Sequence, residues 1–234
     1  MFDVLLRNGT VVDGTGKAAF KADVGIEGDR ITLVGKANGA EAALEIDAAG
    51  KHITPGFVDP HSHADLSLYR ENSTKLLEPL VRQGITTFVG GNCGMAMAPL
   101  GDKRRDDVQN YINIFTQVDF DKDVHWQSMG EYLNYVEEKG LLLNAATLAP
   151  HGLMRLNAMG MDTRTATDDE IAAMRSELAQ ALEEGAVGLS TGLQYMPGSQ
   201  SDTRELLALG EELKPGRHLH QPFAQLLQHP RPRH

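Results

Sequence analysis

The sequence predicts an α/β chain in two parts: short strands of the kind that build a β-sandwich, then about four β/α units around a parallel sheet. Three observations carry this reading. Residues 2–55 alternate short apolar runs with glycine turns. From residue 56 onward, β-branched apolar runs alternate with stretches of helical period. The 234 residues are 41% hydrophobic, enough for a globular core and too apolar for a disordered chain.

In the first part, strands are expected at Phe2–Arg7, Thr10–Asp13, Ala22–Ile26, Arg30–Val34 and Leu44–Asp47. Turns at Asn8-Gly9, Gly14-Thr15-Gly16 and Glu27-Gly28-Asp29 separate them. These strands are too few to close a core alone, so they read as one part of a sandwich. The second part opens with a strand at Gly56–Asp59, a helix near Thr74–Gln83 and a β-branched strand at Ile85–Val89. Gly101–Trp126, rich in charge, reads as an insertion with helical parts, followed by a helix at Gly130–Glu138 and a strand at Leu141–Leu148.

Thr167-Asp168-Asp169-Glu170 is a capping box, because the threonine hydroxyl and the glutamate can satisfy free N–H groups at a helix start. Behind it Ile171, Met174, Leu178 and Leu182 recur at helical spacing until Gly185, and a strand at Ala186–Leu189 and a helix at Thr203–Leu213 complete the pattern. Strand–helix alternation implies parallel strands with right-handed crossovers, in a barrel or a doubly wound sheet. A full (β/α)8 barrel takes roughly 250 residues, more than this part contains. The domains expected are 1–55, a sandwich segment; 56–214, half of a barrel; and 215–234, an aberrant tail.

Several function classes are excluded by the totals. A net charge of −10 and a pI near 5.3 argue against an electrostatic nucleic-acid binder. One cysteine permits no internal disulfide. The N-terminal run reaches Asn8-Gly9 too early for a signal-peptide core, and no apolar run approaches the roughly 20 residues of a membrane span. A soluble protein of the cytoplasm, with no membrane partner, is the expectation.

Pro55-Gly56-Phe57-Val58-Asp59-Pro60-His61-Ser62-His63-Ala64-Asp65 carries the most chemistry. Side chains alternate along an extended strand end, so His61 and His63 point the same way and make half of a zinc site. His-X-His alone is weak evidence; at the C-terminal end of a buried strand, where barrel chemistry gathers, it is stronger. Gly90-Gly91-Asn92-Cys93-Gly94 follows the neighbouring strand. A lone cysteine is often a small buried apolar residue, but among glycines at a strand end a thiolate can reach the same metal. Met95 and Met97 are most simply core.

These motifs resemble the amidohydrolase superfamily and, within it, the N-acyl-D-amino-acid deacylases (D-aminoacylases). The likeness rests on the Pro-Gly-Phe-Val-Asp run with His61-X-His63, on Gly91–Gly94, on Pro150-His151-Gly152 with Arg155, and on Gly185–Gly198, and it extends from residue 2 to about 214. It implies a partial (β/α)8 TIM-like barrel and a zinc-dependent hydrolase of amide C–N bonds. The substrate would be a small N-acyl amino acid, cleaved to a D-amino acid and a carboxylate. By this likeness His61, His63 and Cys93 are metal ligands and Tyr195 faces the substrate. His151 orients a loop by hydrogen bonds, and Asp65 supports the ligating histidines. Zinc would lower the pKa of a water toward about 7 and polarise the scissile carbonyl. The family's proton-shuttling aspartate and two further histidine ligands lie beyond the matched residues, so no catalytic residue is assigned within this chain.

The last 19 residues, Gly216–His234, hold His218, His220, His229 and His234 and no acidic residue. Such a tract can bind metal. Alternatively, one codon choice for Gly216–Gln225, read one nucleotide later, spells Ala-Gly-Ile-Tyr-Thr-Ser-His-Leu-Arg. That resembles the family's fifth strand with its histidine ligand, and it predicts a frameshift near Pro215 that makes His218 and His220 accidental and the chain truncated. An uninterrupted gene frame with no family-like continuation would contradict this. Open sheet edges would then favour self-association. Two rivals remain. A cyclic-amide hydrolase of hydantoinase or dihydroorotase type needs a carboxylated lysine at the fourth strand, where Ala186–Thr191 has none. The other rival is a non-catalytic metal-binding fragment.

Overall fold

The computed structural model describes residues 1–213, and the tail with its histidines lies outside them. The chain divides into two compact units, Met1–Gly56 and a second beginning at Phe57.

The first unit is a five-stranded sheet of β1 (Phe2–Val11), β2 (Phe20–Glu27), β3 (Arg30–Gly35), β4 (Ala42–Asp47) and β5 (His52–Ile53). Its order is β3-β2-β1-β4, with β5 also on β1. β2 and β3 run antiparallel to their neighbours, whereas β4 and β5 lie parallel to β1. The first two expected strands are one. Asn8-Gly9 is not a turn but a bulge, where the β1–β2 register shifts between Leu6 and Gly9 and Asn8 takes a φ of 64°. Asparagine tolerates that conformation, and Asp23 accepts the displaced Asn8 amide at 2.8 Å. Val11, Ala22 and Val24 form a small core with Leu6 and Ile53.

The second unit is built on parallel strands. β6 (Phe57–Asp59), β7 (Ile85–Gly90) and β8 (Asn144–Thr147) form one sheet, and β9 (Ala149–Pro150) pairs with β10 (Leu189–Ser190). Single backbone bonds continue one set toward the other: Leu148 N donates to Gly90 O at 3.0 Å, and Ala149 N to Gly188 O at 2.8 Å. Helices α1 (Ser73–Arg82), α2 (Arg105–Ile112), α3 (Phe120–Asp123), α4 (Met129–Lys139), α5 (His151–Met159) and α6 (Asp168–Glu183) occupy the connections, and α7 (Thr203–Gly210) follows β10. A parallel pair requires such crossovers, since its strand ends lie at opposite edges.

The capping box at Thr167 and Glu170 forms as expected, and Ile171, Met174, Leu178 and Leu182 are all buried. Each such side chain contributes roughly 1.5–3 kcal/mol by leaving water. The Gly101–Trp126 segment is more than an insertion: Val108, Tyr111, Ile112, Phe120 and Trp126 are buried in the same core, and Trp126 Nε1 donates to Met97 O at 2.6 Å. Strands are shorter than the apolar runs suggest, because Leu141–Leu143 precede the pairing of β8 and Ala186–Gly188 precede that of β10. Helix α5 went unrecognised, its start hidden by Pro150 and Gly152, residues that usually interrupt helices.

On α6, half-buried Glu177 accepts from Asn157 Nδ2 of α5 at 2.6 Å. Burial pushes its carboxyl up to about 7 from an ordinary 4.5, against the lowering effect of Asn157. The folded state therefore holds a proton that the unfolded chain releases. This stability is full below pH 4.5 and lost as pH rises through about 7. Glu177→Gln is expected to gain ~1–2 kcal/mol on the wild type between acid and neutral pH, allowing for solvent at a half-buried group. Urea titrations at a series of pH values check this, and parallel profiles for the two proteins would contradict it.

Candidate metal centre

The site forms where β6 and β7 end. Past β6, Asp59 Oδ1 accepts from His61 N at 3.2 Å, and Ser62 N donates to Val89 O of β7 at 3.0 Å. The His61–His63 segment is thus stitched to the neighbouring strand. Asn92 adds to this, donating from Nδ2 to Val89 O at 2.7 Å and to Ser62 O at 3.2 Å.

After β7 the chain turns sharply through the left-handed region, with φ of 72° at Gly91, 57° at Cys93 and 70° at Gly94. Only glycine fits at Gly91, because a Cβ there would stand 2.2 Å from Leu148 O as well as suffer the positive φ. The turn carries Cys93 back over the histidines. His61, His63 and Cys93 each offer a ligand atom within 4.8 Å of the other two, and Cys93 Sγ lies 3.4 Å from His61 Nε2. The histidine rings meet edge to face with centroids 5.9 Å apart.

Burial, and secondarily His61, lowers the pKa of His63, so its ring is held neutral. Its Nδ1 is buried with no hydrogen-bond partner. Phe115, from the segment after α2, stacks on the same ring at 6.0 Å with planes 6° apart. A neutral imidazole with an uncommitted buried nitrogen, beside a second imidazole and a thiol, is the donor set that zinc favours.

Asp65 does something other than expected. Among the described residues it makes no hydrogen bond to His61 or His63; its Oδ2 accepts from Gly91 N at 3.0 Å. Burial pushes its carboxyl up to about 7, against the hydrogen bond from Gly91. Asp65 thus supports the cysteine turn rather than the histidines.

His151 lies outside the cluster. It opens α5 and bonds through Nε2 to Glu205 Oε1 of α7 at 2.7 Å, while Arg155 Nη1 bonds the other carboxylate oxygen. All three side chains are fully buried. Burial opposes the Glu205 carboxylate, but the bonds from His151 and Arg155 outweigh it and hold its pKa below the ordinary range. The hydrogen-bonding role expected of His151 is there, though it ties two helices rather than a loop. Tyr195, 37% exposed, donates its hydroxyl to Cys93 O, and its own pKa is pushed up to about 12 by burial and by Cys93.

The sequence model of the Amidohydrolase family matches residues 44–212. The chain belongs to the amidohydrolase family. This amidohydrolase is 35% identical over 206 residues to a D-aminoacylase of Alcaligenes xylosoxydans xylosoxydans, covering 88% of this chain and 41% of that protein. It is 36% identical over 204 residues to an N-acyl-D-glutamate deacylase of the same organism, covering 87% of this chain and 40% of that one. The structure of an N-acyl-D-glutamate deacylase from Bordetella bronchiseptica, complexed with zinc and a phosphonate mimic of the tetrahedral intermediate, superposes with a TM-score of 0.79. That pair is 32% identical, over 90% of this chain and 42% of the other. This amidohydrolase therefore shares a mixed α/β fold with the N-acyl-D-glutamate deacylase and spans about two fifths of the length of these relatives. No helix among its described residues is long and apolar enough to cross a membrane.

Two participants in this site, Phe115 and Ser190, and one residue of the buried trio beside it, Glu205, had no role in the sequence reading. Phe115 sits in a charged stretch with no pattern linking it to His63. Glu205 is 54 residues from His151 and 50 from Arg155. Ser190 was visible only as part of a longer motif, and its contacts with Gly91 and Gly94 arise from tertiary structure.

Proposed function

We propose that this chain carries a zinc site of an amide hydrolase that converts N-acyl-D-amino acids to D-amino acids and carboxylates. The observation that carries the reading is the convergence of His61, His63 and Cys93 at the ends of two adjacent parallel strands. When bound, zinc supplies Lewis-acid polarisation of the scissile carbonyl and lowers the pKa of a water. The chain's own residues do the rest of what this region contributes. Phe115 stacks on one face of the His63 ring and limits its rotation. Asp65 and Asn92 hold the cysteine turn and the histidine segment in register. Tyr195, partly exposed beside Cys93, is assigned to face the substrate.

In this reading β6, β7 and β8, with β9 and β10, are opening strands of a (β/α)8 barrel, and the Met1–Gly56 sheet is one part of a β-sandwich. The similarity to enzymes acting on N-acyl-D-glutamate and other N-acyl-D-amino acids supports the substrate class, and a carboxylate-bearing N-acyl amino acid is the small molecule to test. The test is hydrolysis of matched N-acyl-D- and N-acyl-L-amino acids by the zinc-loaded chain with its reading frame corrected near Pro215, because the aspartate and two histidine ligands that the family resemblance implies lie beyond the matched residues. Hydrolysis of the D enantiomer that a chelator abolishes is expected. Equal rates on the two enantiomers, or none on either with zinc bound, would contradict the assignment.

A further inference from the structure

Cys93 holds a conformation that side-chain-bearing residues adopt only when their surroundings impose it, with φ 57° and ψ 25°. The imposition comes from the far end of the unit. Ser190, the last residue of β10, places its hydroxyl between the two ends of the cysteine turn: Oγ donates to Gly91 O and accepts from Gly94 N at 3.0 Å. Tyr195, five residues on, donates its hydroxyl to Cys93 O. The segment between them approaches closely because Gly192 has no side chain, since a Cβ there would stand 2.3 Å from Cys93 O.

We propose that Ser190 and Tyr195 are positioning residues for the Cys93 thiol, two hydroxyls that clamp the Gly91–Gly94 turn and thereby set where Sγ points. Gly91 and Gly94 are buried. Without Ser190 the Gly91 carbonyl and the Gly94 amide lose their partner where water does not reach them easily, and the turn rearranges to satisfy them. Any such rearrangement carries Cys93 out of its positive φ. That rotation swings Cβ and separates Sγ from the His61 nitrogen it now faces at 3.4 Å. Metal ligand sets tolerate little displacement, of order 0.5 Å. The clamp therefore matters to the proposed zinc site, on which its purpose rests, but its existence does not depend on the metal. Tyr195 keeps its assigned place beside the substrate. With its proton committed to Cys93 O, it meets a substrate through its ring or as an acceptor.

Cys93 is the sole cysteine, so alkylation by iodoacetamide, followed by mass, reports on this thiol alone. In the metal-free chain at fixed pH, Ser190→Ala and Tyr195→Phe are expected to change the alkylation rate several-fold, because Sγ leaves its place beside His61 Nε2. Ser190→Thr, which keeps the hydroxyl, is expected to stay near the wild-type rate. Zinc affinity should fall about 10- to 100-fold in the first two variants, the range for residues that orient ligands, and recover in the third. Wild-type alkylation rates in both Ser190→Ala and Tyr195→Phe would overturn the proposal. If Ser190→Ala does not fold, Tyr195→Phe, which removes one oxygen at the surface, decides alone. Failure of zinc to protect the wild-type thiol would defeat the metal reading instead, and the metal-free rates would still judge the clamp.

Discussion

Replacing Cys93 by alanine is expected to lower the chain's zinc affinity by at least about 100-fold, the upper end of what losing a mere orienting partner costs. The thiol is one of three converging donors, and zinc binding deprotonates it, so its loss removes a full negative charge as well as a ligand. Alanine at this position meets the same left-handed backbone as cysteine, and the hydroxyl bonds to the turn reach only main-chain atoms. Metal-free thermal unfolding should therefore be nearly unchanged, separating the site from the fold. Calorimetric titration of zinc into wild type and variant checks this. Equal affinities would remove Cys93 from the site.

The largest loss of stability is expected from Glu205→Ala. It strands Arg155 and His151 in a fully buried position with one partner gone. Removing one member of a buried ion pair costs roughly 3–5 kcal/mol, because the remaining charge stays desolvated and unpaired. Against a typical total of about 5–15 kcal/mol, that is a large share. The Glu205 pKa is depressed, so its contribution is present above its unfolded value of 4.5 and is lost as pH falls through the lower folded value. The full effect should appear in urea unfolding at neutral pH. Combining Arg155→Met with Glu205→Leu should recover much of it, since an apolar pair leaves no buried charge. A loss under about 1 kcal/mol in the single variant would show that the trio is not holding α5 to α7.

How much of this was legible in the sequence follows from the range of each interaction. The metal donors were readable because each lies in a short motif at a strand end: His61 and His63 stand two residues apart just past β6, brought together by a bend after Asp59 rather than by strand alternation, and the glycines around Cys93 announce a turn. Helix α6 was readable for a similar reason, its cap and apolar stripe both being local. Asn8-Gly9 misled because the same dipeptide serves a hairpin turn or a bulge, and only the partner strand with Asp23 decides which. The fate of Asp65 was likewise hidden. A carboxylate two residues beyond a histidine suggests an imidazole partner, yet the left-handed turn at Gly91 presents it with an amide first. Ser190, Glu205 and Phe115 act across 50 or more residues, where no spacing rule reaches.

The central claim is that His61, His63 and Cys93 bind one zinc ion together. X-ray absorption at the zinc edge of the loaded chain measures that environment directly. The account predicts one sulfur at about 2.3 Å together with imidazole nitrogens at about 2.0–2.1 Å, and loss of the sulfur shell in Cys93→Ala. A wild-type spectrum of nitrogen and oxygen alone, with no sulfur shell, would contradict it.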